Sequence, residues 1–254
     1  MWTILIACEA TQSAVRHAPP SPTSAPITTA DETGGPASRS EPTDTAAAQE
    51  PCPAGMATVG PSLCIDRWEA FLEGQSPYEV PSEGVAVSAL GSVPQGYISG
   101  DVAELACLAA GKRLCTSTEW QLACSGEAGR TYPYGDLYDG DACNDTRTQH
   151  PVVELFGADA DWSTAQMNDS RLNQLPDSLA ASGDFAACVT PEEVADLHGN
   201  LHEWVADAAG SFRGGFFVDA VLNGPGCSYV TTAHDRSYHD YSTGFRCCTD
   251  PTLP

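Results

Sequence analysis

Asp196-Leu-His-Gly-Asn-Leu-His-Glu-Trp204 is the stretch on which the reading of this 254-residue chain turns. A Gly-Asn pair inside an apolar and acidic run asks for a tight, partly left-handed turn, since glycine has no Cβ to clash there and asparagine tolerates that region. Such a turn keeps Asp196 and Glu203 close and frees main-chain carbonyls on the same side. Two carboxylates with carbonyl oxygens form a cage suited to a hard cation such as calcium. The competing reading is a structural turn whose acids are merely solvated, and spacing alone does not choose between them.

The histidines of the stretch invite a different metal. His198 and His202 stand four apart beside Glu203, and on a helix they would share one face, as zinc ligands do. Gly199-Asn200 breaks that helix and the order is not H-E-x-x-H, so neither zinc nor iron is expected here. His234 and His239, five apart, read as loop residues.

Further motifs flank the turn. Arg213-Gly-Gly215 and Gly244-Phe-Arg-Cys-Cys248 follow it. Cys64-Ile-Asp-Arg-Trp-Glu69, Ala110-Gly-Lys-Arg-Leu114, Thr116 to Trp120 with Cys124, and Tyr132-Pro-Tyr-Gly135 precede it. In this order, from residue 52 to residue 248, they resemble the formylglycine-generating-enzyme (sulfatase-modifying factor) superfamily. The resemblance implies an irregular α+β domain of the C-type-lectin-like kind, with short helices, small antiparallel sheets and long loops. It also implies two calcium sites. One uses the side chains of Asp196 and Glu203 with the carbonyls of Gly199 and Leu201. The other uses Asn144 and the carbonyl of Asp145, with further ligands from residues 156–161, where Asp159 is the nearest candidate.

The oxidase of that family holds copper through two cysteine thiolates a few residues after an Arg-Gly-Gly-Ser strand. Soft thiolates are required because the working ion is Cu(I). Here the segment reads Arg213-Gly-Gly-Phe-Phe-Val-Asp-Ala-Val-Leu-Asn-Gly-Pro-Gly-Cys227. Phe216 replaces the serine, Asp219 stands about where the first thiolate would be, and no cysteine lies between Gly215 and Cys227. Neither copper nor formylglycine synthesis is expected.

Composition sets outer limits. A formal net charge of −23 leaves nothing to neutralise phosphates, which excludes a nucleic-acid partner. Eleven cysteines with no C-x-x-C pair point to disulfides in an oxidising compartment rather than to a zinc ribbon. The resemblance implies Cys107–Cys247 and Cys124–Cys227. Sequence alone does not fix the rest, which are assigned as Cys52–Cys64, whose members flank a turn, Cys115–Cys248 and Cys143–Cys188. Leu5-Ile-Ala-Cys8 resembles a bacterial lipobox, which makes Cys8 the lipidated residue and leaves ten cysteines to pair. Only seven residues precede it, without Lys or Arg, so residues 1–8 are read as a shortened signal segment. Residues 9–50 are rich in Pro, Ser, Thr and Ala and read as a disordered tether, with the folded domain at 51–254.

Within that domain a hairpin is expected over Met56 to Asp66, turning at Gly60-Pro-Ser62. A helix runs from Asp101, with Glu104 as its capping-box partner and Val102, Leu105, Ala106 and Ala109 inward, to Gly111. A second runs from a Thr116/Glu119 capping box to Gly126. Arg130 to Thr190 reads mostly as loop, and 211–218, 227–232 and 243–248 as strands.

Two functions follow. The first is a non-catalytic, calcium-stabilised, lipid-anchored binding domain of the bacterial envelope, periplasmic or surface-exposed, that meets an envelope protein, peptide or glycan. Trp162, Tyr229, Tyr238, Tyr241 and Asp235-Arg236 are its candidate contact groups, each aromatic having core as its alternative. The second is an oxidoreductase with displaced ligands, using His234 or His239 with Asp219 and a metal.

Overall fold

The computed structural model describes residues 52–252. The lipobox with Cys8 and the 9–50 tether lie outside the described residues.

The chain starts with a hairpin of strands β1 (Met56–Val59) and β2 (Leu63–Asp66), closed by the expected Gly60 turn at φ +58°. Strands β3 (Ala70–Leu72) and β4 (Ala86–Ser88) form a small antiparallel pair. Helix α1 (Gly100–Ala109) is capped by Ser99, which accepts a hydrogen bond from the Val102 amide. The expected Asp101/Glu104 capping box is therefore not formed; both acids instead bind Arg236, at 2.9 and 2.6 Å. Its inward face also differs, with Ala103, Ala106 and Cys107 buried and Leu105 left 60% exposed. Cys107 must face Cys247, and that requirement turns the small residues inward.

After the short strand β5 (Arg113–Leu114), helix α2 (Ser117–Ser125) has the expected reciprocal Thr116/Glu119 box and ends at Gly126, with φ +62°. The long middle segment holds two short helices where loop was expected, α3 (Pro151–Phe156) and α4 (Thr164–Met167). Strands β6 (His202–Trp204), β7 (Phe212–Arg213), β8 (Val230–Thr231), β9 (Thr243–Phe245) and β10 (Cys247–Thr249) complete the domain. The expected strands at 211–218 and 227–232 are thus much shorter, and the one at 243–248 is broken at Arg246.

That break joins two sheets. One has the order β1-β2-β10-β5, the other β8-β7-β6-β9, in which β6 and β9 run parallel. Five disulfides staple the domain: Cys52–Cys64, Cys107–Cys247, Cys115–Cys248, Cys124–Cys227 and Cys143–Cys188. These are the five pairs assigned from sequence. Cys247 and Cys248 are neighbours on one strand, so their side chains leave on opposite faces. One joins the core beneath α1 with Trp204 and Phe245; the other joins the core beneath α2 with Trp120 and Ile65. Among the described residues no helix is long and apolar enough to cross a membrane.

Candidate functional site

The Asp196–Trp204 stretch takes the left-handed turn read from it. Asp196, Gly199 and Asn200 have φ of +60°, +78° and +56°. Glycine is required at 199, because a Cβ there would lie 2.2 Å from the Asn144 carbonyl oxygen.

The acids of the turn are buried rather than solvated, with Asp196 4% and Glu203 0% exposed. Both oxygens of Glu203 are used. Arg246 grips them through Nε and Nη2, each at 2.6 Å, and Trp120 Nε1 donates to Oε2 at 2.7 Å. The remaining donors of Arg246 reach the carbonyls of Asp66 and Ala195. Asp196 accepts from the Gly183 amide at 2.7 Å. A third buried acid, Glu69, accepts from the Leu201 amide and from Asn200 Nδ2. Burial, then the nearby Asp196 and Glu203 carboxylates, push Glu69 well above the usual range, and burial pushes Asp196 up to about 6.

The first calcium assignment draws on Asp196, Gly199, Leu201 and Glu203 of this same turn. Calcium wants six to eight oxygens. Here the Arg246 guanidinium engages both oxygens of Glu203, so that carboxylate would have to give up its partner to ligate the ion. The second set, Asn144 and the Asp145 carbonyl, lies in the loop that packs on this turn. The Asn144 amide nitrogen donates to Ser178 O and Asn200 Oδ1, and its carbonyl accepts from the Asn200 amide. The Asp145 side chain turns to His198, with Oδ2 3.0 Å from Nε2. Asn144 and Asp145 thus tie the turn to the preceding loop. Among the described residues no group of three or more His, Cys, Asp or Glu is placed to hold a metal ion.

Near Phe216 the groups form a hydrogen-bonded chain. Asp219 Oδ2 accepts from the Tyr229 hydroxyl at 3.1 Å, and that hydroxyl lies 3.1 Å from His202 Nε2. His202 Nδ1 is 3.2 Å from Ser242 Oγ, which donates to Asp240 at 2.7 Å. Burial, with Phe212 and Phe216 packed on the ring, pushes His202 down to about 3, so the imidazole is neutral.

Asp219, His234 and His239 are not brought together. His234 stacks on Tyr238 at 3.7 Å, while His239 Nδ1 bonds Asn168 at 2.8 Å. The oxidoreductase reading needs only one of these histidines beside Asp219, and each of the three is engaged with another side chain. Of the candidate contact aromatics, Tyr229 and Tyr241 are core, at 1% and 2% exposure. Trp162 is 45% exposed and packs edge-on against His150. Arg236 is spent on α1, and Asp235 caps its own turn at Ser237.

Sequence reasoning missed a cleft of about 670 Å³ between the loop after Asn144 and the segment after Leu175. Arg147, Gln149, Asp177, Ser178 and Phe185 are among the residues lining it. Phe185 also lines an adjoining hollow of about 450 Å³ beside Trp68. No periodicity marks such a site, because its walls are irregular loop.

Residues 55–250 match the family described as the sulfatase-modifying factor enzyme 1-like domain. The chain belongs to that family. No curated protein matches the chain by sequence. Among solved structures it is similar to PvdO from Pseudomonas aeruginosa, at 14% identity and TM-score 0.47, over 78% of this chain and 83% of that one. It is similar to CarF at 16% identity and TM-score 0.46, over 75% and 87%. It is also similar to the Major Tropism Determinant U1 variant at 14% identity and TM-score 0.47, over 80% and 54%. The chain thus spans about half the length of that last protein. The motifs that sulfatase-modifying-factor membership rests on converge in space here. Asp66 of the first accepts from the Cys247 amide and pairs with Lys112 of the second; Trp120 of the third donates to Glu203, which also binds Arg246 of the last.

Proposed function

We propose that the chain is a non-catalytic binding domain of the sulfatase-modifying-factor family. It works outside the cytoplasm in the bacterial envelope, held by a lipid on Cys8 and spaced from the bilayer by residues 9–50. The supporting observation is the state of the cysteines. All ten from Cys52 to Cys248 are disulfide-bonded, which leaves none of them as a thiolate for Cu(I). The segment after Arg213-Gly-Gly215 is committed elsewhere: Phe216 packs on His202, and Asp219 accepts from Tyr229 and from the Val221 and Leu222 amides. Five disulfides also agree with an oxidising compartment.

The test combines elemental analysis of the purified full chain, after incubation with Cu(I), with an oxygen electrode and a cysteine-containing peptide. No stoichiometric copper and no peptide-dependent oxygen uptake are expected. Copper at one equivalent with turnover would overturn the proposal. The anchor is tested separately: Cys8→Ala should move the protein from the membrane fraction to the soluble one.

A further inference from the structure

The cleft next to Asn144 has walls whose chemistry is unspent. Among the described residues, the side chains of Thr148, Gln149 and Asp177 are exposed at the cleft and have no hydrogen-bond partner in the protein. Ser178, 4% exposed, has a buried hydroxyl that is likewise unpaired. Arg147 is held by Glu154 at 2.6 Å with its side chain only 5% exposed, yet Nε and Nη1 have no partner. The Ser178 hydroxyl and Arg147 Nε and Nη1 are closed off behind the wall, so the polar groups open to an occupant are those of Thr148, Gln149 and Asp177.

Charge and shape narrow the occupant. Glu154 cancels Arg147, and Asp177 leaves the cleft one negative charge in a chain of net −23, which disfavours phosphates, nucleic acids and acidic polymers. A wholly apolar ligand would strip water from Gln149 and Asp177 without replacing its hydrogen bonds. A polyol satisfies both conditions. Its hydroxyls donate to Asp177 and accept from Gln149 and Thr148, while its C–H faces lie on Phe185 and, through the adjoining hollow, on Trp68. Aromatic faces beside a few polar groups are the usual make-up of small-ligand sites, whose volumes run about 300–1,000 Å³.

We infer that this cleft binds an uncharged saccharide. The inference rests on the binding-domain reading above and names its ligand class and site.

The experiment is saturation-transfer NMR and calorimetry on the full chain. The probes are cellotetraose, maltotetraose, mannotetraose and N-acetylchitotetraose, with polygalacturonate and a Gly-Ser peptide as the acidic and peptidic arms. At least one neutral tetrasaccharide should bind, with Asp177→Asn and Gln149→Ala each weakening it roughly tenfold. Asparagine tolerates the positive φ of Asp177, +56°, so the first variant keeps the loop. Phe185→Ala should weaken binding similarly, and Trp162→Ala, outside the cleft, should not. Four silent neutral sugars at millimolar concentration would overturn the inference, as would binding that Asp177→Asn and Gln149→Ala leave intact. Binding of only the polygalacturonate or the peptide would overturn the ligand class. Silent sugars without copper-dependent oxygen uptake would sink this inference alone; oxygen uptake would sink the reading beneath it.

Discussion

Arg246 and Glu203 meet in two parallel 2.6 Å hydrogen bonds with neither residue exposed to solvent, at the point where the chain steps from one sheet to the other. Removing one partner leaves an uncompensated buried charge, which typically costs 3–5 kcal/mol. Arg246→Met should therefore lower the unfolding free energy by about 4 kcal/mol in denaturant titration. Arg246→Met with Glu203→Leu should recover part of that loss. A single variant within about 1 kcal/mol of wild type would show the pair to be dispensable.

The two disulfides of β10 fasten nearly the same two segments, since Cys107 and Cys115 pair with the adjacent Cys247 and Cys248. With one intact, the other closes only a short loop. With both gone, the loop that must close is much longer. Replacing either pair by serines should cost about 2–3 kcal/mol, and replacing both should exceed the sum by about 1 kcal/mol. Strict additivity in chemical denaturation would contradict this reading of the topology.

Asp196 titrates at about 6 when folded against an ordinary 3.8, because burial disfavours its charge. Between those values the folded chain keeps a proton that the unfolded chain has released. Stability from this group is thus present below about pH 4 and is lost as pH rises through 6. Glu69, shifted in the same direction, adds to the slope. The thermal midpoint should fall across that window, and Asp196→Asn should flatten the fall. An unchanged slope in that variant would remove Asp196 from the account.

Gly199→Ala should be among the most damaging single methyl additions in the domain. It sets a Cβ 2.2 Å from the Asn144 carbonyl oxygen at φ +78°. A loss of at least about 2–3 kcal/mol is expected, read as a drop in thermal midpoint. Gly111→Ala, whose Cβ would meet nothing within 4 Å though its φ is +71°, should cost less.

Legibility from sequence followed the range of the interaction. The hairpin, the Thr116/Glu119 box and the left-handed turn at Gly199-Asn200 are written in neighbouring residues, and all are present. The small helix α3 was also legible in principle, with Pro151 at its first position and Gly157 just past its end, the usual asymmetry of helix termini. What stayed hidden was long-range. Glu203 reads as a cation ligand until Arg246, 43 positions on, takes both its oxygens. A charged residue inside the apolar run Gly244 to Cys248 was the available hint, since an arginine is seldom fully buried without a partner. Tyr229 and Tyr241 look like surface aromatics until the β7–β9 region closes over them.

The neighbouring cysteines of β10 also fix a timetable. The sheet holding β1, β2 and β5 is completed by β10, whose Cys248 stands 133 positions after its partner Cys115. Cys107 and Cys115 therefore have no native partner until β10 has been made. Maturation of this domain is governed by the arrival of β10, and oxidation of these two thiols before then would leave a wrong pairing to be undone.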